Sequence, residues 1–137
     1  MAVEAKQSAE RPFLCGDALK VDADGRATLV GSRCGDCGVE FFPPAPVCSS
    51  CMSENMKAQA MPHRGTLYAF STVHVASKKW KLPMRIGYVD LANRARVFTH
   101  LEGDDLNIGD EVEVGVGVVG EDAEGPITTF VFKKVTP

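Results

Sequence analysis

Two Cys-x-x-Cys pairs, Cys34-Gly35-Asp36-Cys37 and Cys48-Ser49-Ser50-Cys51, dictate more about this chain than any other feature. At this spacing each pair forms a tight knuckle, and the ten residues between them let both knuckles close on one tetrahedral ion. Gly38 follows the first pair and tolerates the positive φ that turns amides back toward the sulfurs; Met52 follows the second, which lacks that glycine. The reading is a structural zinc ribbon held by Cys34, Cys37, Cys48 and Cys51. Iron is the other ion a sulfur tetrahedron accepts, and a redox dithiol would need only one pair. Four thiolates leave no coordination position for water or substrate, so the ion is expected to serve folding rather than catalysis.

Disulfides are the competing use of such cysteines. They require an oxidising compartment, and the chain opens Met-Ala-Val-Glu-Ala-Lys without an apolar leader, which argues for a reducing cytoplasm. The fifth cysteine, Cys15, is expected to be a small buried apolar group. A net charge of −3 speaks against a general nucleic-acid binder, and no apolar run reaches membrane-spanning length. The expected partners therefore exclude nucleic acid and membrane.

The chain divides into an N-terminal arm with a hairpin (1–31), the ribbon (32–62) and a β-rich half (63–137). Met1 to Arg11 is polar and is expected to be a mobile end. Asp22-Ala23-Asp24-Gly25 between Ala18-Leu19-Lys20-Val21 and Ala27-Thr28-Leu29-Val30 predicts a hairpin feeding Cys34. Three prolines hold the loop between the knuckles extended, and Phe41 and Phe42 are the main apolar mass available to the ribbon.

Beyond Gly65 five β-prone segments follow: Thr66 to Val75, Arg85 to Leu91, Arg96 to Leu101, Glu111 to Val118 and Ile127 to Val135. Valines alternate along the fourth and should share one face, while Gly115 and Gly117 permit strong coiling. Five strands, glycine-rich turns and no helical periodicity predict a mostly β protein: a four-cysteine zinc ribbon followed by a five-stranded barrel of the OB type, with a small β-sandwich as the alternative.

No catalytic residue is assigned. His63, His74 and His100 belong to no local catalytic motif, and the last two fall in predicted strands. There is no phosphate-binding glycine loop and no nucleophile elbow. The segment from Ala76 to Arg85 is the other unusual stretch. It carries Trp80, Leu82 and Met84 with four cations, Lys78, Lys79, Lys81 and Arg85. A tryptophan and a methionine exposed beside cations would anchor an interface. The cations could equally meet the phosphates of a nucleotide-like ligand, or the whole could be an ordinary loop.

Ser32-Arg33-Cys34-Gly35-Asp36-Cys37-Gly38, then Phe42-Pro43-Pro44-Ala45-Pro46-Val47-Cys48-Ser49-Ser50-Cys51, resembles the ribbon of the acyl-CoA-associated proteins that join a rubredoxin-like zinc ribbon to an OB-fold. Gly65 to His74 resembles the start of their barrel, and Ile108-Gly109-Asp110-Glu111-Val112-Glu113-Val114 their late turn and strand. The resemblance runs from Ser32 to about Val135. It implies a small companion of a thiolase-fold enzyme, an acyl-CoA hydratase or a retro-aldolase, with the catalytic cysteine and histidine on the large partner. This chain would then supply interface (Phe41, Phe42, Trp80, Met84) and part of a CoA entrance (Lys78, Lys79, Lys81, Arg85), within a hetero-oligomer. Many members begin with an amphipathic helix before the ribbon. Here residues 14–31 read as a hairpin, so contacts made by such a helix are not carried over.

Two rivals come from other classes. One is an OB module binding single-stranded nucleic acid through Tyr68, Phe70 and Phe98. The other is a protein that binds CoA by itself.

Overall fold

The computed structural model describes residues 12–135, so the expected mobile end lies outside it. After a single 3₁₀ turn at Gly16–Ala18, the chain enters the predicted hairpin. β1 (Leu19–Val21) pairs antiparallel with β2 (Ala27–Cys34) in the register Leu19↔Leu29. Asp22 makes the turn: its carboxylate accepts the N–H groups of Asp24 and Arg26, both at 2.9 Å. β2 runs on into the ribbon. There it pairs with β3 (Glu40–Phe41) and β4 (Met56–Ala60), and the register Cys34↔Met56 sets the first ligand at the sheet's end.

The remaining strands are β5 (Arg64–Val73), β6 (Met84–Leu91), β7 (Arg96–Glu102), β8 (Glu111–Asp122) and β9 (Gly125–Lys134). They form a closed barrel in the order β5-β6-β7-β9-β8, with β7 and β9 parallel and the other pairs antiparallel. This is the predicted five-stranded OB-type barrel; closure removes every free edge except where strands overrun it. Register shifts at Leu67/Ala69 and Val118/Gly120 supply the local bends that closure needs. Among the described residues no helix is long and apolar enough to cross a membrane.

Alternation fills the barrel. Leu67, Val89, Val97, Val112 and Phe132 are fully buried. The same core continues into the hairpin through Leu19, Ala27 and Leu29 and into the junction through Met61, so the hairpin caps the barrel end. Burying these side chains contributes on the order of 2 kcal/mol each.

One expectation needs correction. His74 and Val75 lie beyond β5 and are exposed, because the chain leaves the sheet at Val73 to reach the Trp80 loop. The valines of β8 alternate onto one face as expected, but that face is buried only at its start: Val112 and Val114 are buried, Val116 and Val118 exposed. β5 pairs with β8 only over Glu111–Glu113; beyond that β8 keeps β9 as its ladder partner, and Trp80 bridges to it at Gly120.

Candidate metal centre and neighbouring surfaces

β2 delivers Cys34, and the loop from Gly35 to Asn55 folds back to deliver the other three cysteines. All four Sγ atoms lie within 4.8 Å of one another. Cys34 and Cys51 approach to 3.5 Å, Cys37 and Cys48 to 3.7 Å. A zinc–sulfur bond of about 2.3 Å implies a tetrahedral edge of roughly 3.8 Å, so the thiols are already spaced for the ion. Cys34 and Cys48 are buried, Cys37 and Cys51 exposed.

The knuckles are near copies. The N–H groups of Asp36 and Cys37 point at Cys34 Sγ, each at 3.4 Å. Those of Ser50 and Cys51 point at Cys48 Sγ at 3.3 and 3.4 Å. Amides aimed at sulfur favour the thiolate. The Cys37 amide is the main cause that brings Cys34 down to about 6, against the effect of burial. The Cys51 amide likewise lowers Cys48. Cys51 moves the other way: the Ser53 amide favours its thiolate, but Cys34, burial and the remaining thiols outweigh it and push Cys51 up to about 12. Without a cation four clustered thiols cannot all ionise, and a divalent ion removes that conflict.

Polar ties brace the centre. Asp36 accepts from the Ser53 hydroxyl and from Asn55 Nδ2, which holds its carboxyl below the usual range. Gly35 N–H donates to Asn55 O at 2.8 Å, joining the knuckles behind the sulfurs. The ribbon is also clamped to the barrel. Glu40 takes Arg33 at 2.9 Å and Asn93 Nδ2 at 2.8 Å, while Asn93 Oδ1 accepts the Ala95 amide in the β6–β7 turn.

The aromatic pair after the first knuckle splits as follows. Phe41 is half-buried in β3, and Phe42 sets its ring edge-on to Phe130 of the barrel, with centroids 5.5 Å apart. Trp80 is not the exposed anchor expected from sequence. It lies half-buried against Val119, Ile127 and Val131, and its loop bonds to the β8 bulge through Lys81 N–H to Val119 O and Glu121 N–H to Lys79 O. Gly120 permits this approach, since a Cβ there would collide with the Lys79 carbonyl. Met84 is half-buried at the start of β6.

The four cations fall on two hollows that share Lys81. Lys78, Lys79 and Lys81 are exposed, with Lys79 Nζ 5.1 Å from the Trp80 ring centre, while Arg85 pairs with Asp104 at 3.4 Å. Lys78, Lys79 and Lys81 border an open hollow of about 590 Å³, and Lys81 and Arg85 one of about 350 Å³.

The histidines are not brought together. His63 accepts from Arg26 at its Nδ1 and meets the Thr28 hydroxyl at its Nε2. His74 is in the exposed loop. His100 is half-buried with its ring 6.1 Å from Trp80, and burial lowers its pKa. Asp104 and Asp105 pair with Arg85 and Lys134 at the surface. Cys15 is half-buried against the core. Of the residues named for base stacking, Tyr68 and Phe98 are exposed, but Phe70 packs on the core. Tyr88, not singled out in the sequence, joins them, because cross-strand register rather than a motif sets it opposite Phe98.

Comparison with known proteins places this architecture. Residues 23–57 match the model of the ChsH2 rubredoxin-like zinc ribbon domain, and residues 58–117 that of the ChsH2 C-terminal OB-fold domain. The chain is 38% identical over 127 residues to a protein from Thauera aromatica named benzoylsuccinyl-CoA thiolase subunit BbsA, covering 90% of this chain and 88% of that one. The protein of the same name from Geobacter metallireducens is 34% identical, over 90% of this chain and 86% of its own. Among solved structures, one titled Ltp2-ChsH2(DUF35) aldolase superposes with a TM-score of 0.66 at 26% identity, covering 80% of this chain and 86% of the other. The chain belongs to the ChsH2-type family, in which a rubredoxin-like zinc ribbon precedes a C-terminal OB-fold.

Proposed function

We propose that this chain is a non-catalytic accessory subunit of a thiolase-type enzyme that makes or breaks a carbon–carbon bond in an acyl-CoA. The observation that carries the reading is the near full-length likeness to proteins named as thiolase subunits. The geometry supports it, because the one cluster of potential metal ligands among the described residues is a closed sulfur tetrahedron. In this reading Cys34, Cys37, Cys48 and Cys51 hold a structural zinc ion, which fixes the ribbon and supplies no chemistry to the substrate. A thiolase-fold large subunit carries the nucleophile and the general base. Benzoylsuccinyl-CoA is the proposed substrate of the complex, and the cytoplasm its location.

Within the complex, Phe41, Phe42 and Met84 lie on the partner side, and Trp80 stiffens the loop beside them. Lys78, Lys79, Lys81 and Arg85 line the CoA entrance, where the three lysines have no ion pair among the described residues and are free for phosphates. The test is reconstitution of the two chains with benzoylsuccinyl-CoA and free CoA. CoA-dependent cleavage of the carbon–carbon bond into two CoA thioesters that requires both chains supports the reading, and full activity of the large chain alone overturns it. The likeness to the structure titled an aldolase favours one second reading, the same accessory role beside an aldolase. Retro-aldol cleavage without added CoA would separate the two.

A further inference from the structure

The outer face of β5–β7 carries an aromatic ladder that the metal centre and the Trp80 loop do not use. Both tyrosines of the chain lie on it, Tyr68 at 50% and Tyr88 at 44% exposure, together with Phe98 at 55%. Tyr88 stands directly across from Phe98, ring centroids 5.2 Å apart. Tyr68 sits in the β5 bulge, which turns it outward, and the Arg96 guanidinium stacks 3.7 Å from its ring centre. Arg96 is itself fixed by Asp90 through two bonds of 2.6 and 3.0 Å. Large rings held in place beforehand lose little freedom on association, and exposed aromatics with arginine are the side chains that dominate protein interfaces.

Charge decides what covers this face. Arg96 is paired with Asp90, and on the neighbouring strand end Arg64 is paired with Glu111 and Glu113. A nucleic-acid strand would bring its phosphates to a chain of net charge −3, whereas stacking sites for single strands are lined by a surplus of cations. The ladder is also continuous with an apolar hollow. Phe98 lines a space of about 1000 Å³ between barrel, hairpin and the Pro43–Pro46 loop, with Phe42 and Phe130 on its walls. Lys20 and Lys57 stand at that hollow on β1 and β4, with no ion pair among the described residues. The chemistry asks for an occupant with an apolar projection flanked by carboxylates.

We propose that the Tyr68–Tyr88–Phe98 ladder and the hollow beside Phe98 form the docking face for the catalytic subunit of the enzyme, which inserts an apolar segment between Lys20 and Lys57 and sets its carboxylates on them. This rests on the subunit reading above and names the surface through which it operates.

The experiment measures the affinity of the large thiolase-type subunit for zinc-loaded wild-type chain and for Phe98→Asp, Tyr88→Asp, the pair Lys20→Glu/Lys57→Glu, and Val75→Asp as an exposed control off the face. Thermal midpoint and zinc content confirm that each variant is folded. Expected are a loss of at least 100-fold for Phe98→Asp, at least tenfold for Tyr88→Asp and for the lysine pair, and less than threefold for Val75→Asp. A wild-type complex that survives Phe98→Asp and Tyr88→Asp undiminished overturns the docking face and leaves the subunit reading standing. A wild-type chain that forms no complex overturns both. If the ladder variants instead abolish binding to a labelled single-stranded oligonucleotide, or self-association, while the enzyme complex persists, the occupant is wrong and the proposal fails.

Discussion

Met52 occupies in the second knuckle the place that Gly38 occupies in the first. Both have positive φ, 67° and 81°. Both donate their N–H to the carbonyl of the knuckle's first cysteine, Met52 to Cys48 at 3.0 Å and Gly38 to Cys34 at 2.9 Å. The metal geometry thus imposes a left-handed residue after each second cysteine, even where the sequence supplies a side chain. A non-glycine residue there costs roughly 1 kcal/mol. Met52 is 75% exposed, so its side chain gives little back. Met52→Gly is expected to raise stability by about 1 kcal/mol with zinc bound, measured by urea unfolding, and Gly38→Ala to lower it by about the same amount.

The paired knuckles make the metal response specific. Removing the ion leaves clustered thiols whose ionisation is in conflict, with Cys34 drawn down to about 6 and Cys51 pushed up to about 12. Cys48→Ala should abolish stoichiometric zinc and lower the melting temperature by roughly 10 °C, as a loss of about 3 kcal/mol would in a chain of this size. Metal analysis beside a thermal scan reads both effects.

His100 gives the fold a pH dependence of known sign. Burial lowers its folded pKa, so the unfolded chain binds the proton more readily. Its contribution is therefore fully present above the unfolded value near 6.5 and is lost as pH falls through that value toward the lower folded one. His100→Gln should flatten the fall in stability as pH drops below about 6.5, and Trp80 fluorescence should report the change because the rings are 6.1 Å apart.

The ribbon–barrel clamp is a fourth target. Asn93 bonds Glu40, Met61 Sδ and the Ala95 amide at once. Asn93→Ala should cost about 1–2 kcal/mol without loss of zinc, seen as faster amide exchange in β3 and the β6–β7 turn. Retention of wild-type protection there would show the clamp to be idle.

Much of this architecture was legible in local signals. Cysteine spacing, the Asp22–Gly25 turn and the alternation of five strands each act over a few residues, and each feature is present in the fold. What stayed hidden depends on distant pairing. The half-burial of Trp80 follows from a bulge in β8 that brings Gly120 against Lys79, a residue far away in the chain. The exposure of Val116 and Val118 follows from β5 ending its pairing with β8 early. The aromatic ladder joins residues of three strands, and no single stretch announces it.

The most direct test of the central claim is the mass of the particle formed when this chain is co-expressed with a benzoylsuccinyl-CoA thiolase-type large subunit, determined by light scattering after size exclusion, with zinc counted in the same peak. The account predicts one hetero-oligomeric peak holding one zinc ion per small chain. Two separate peaks, with zinc travelling on an uncomplexed small chain, would contradict it.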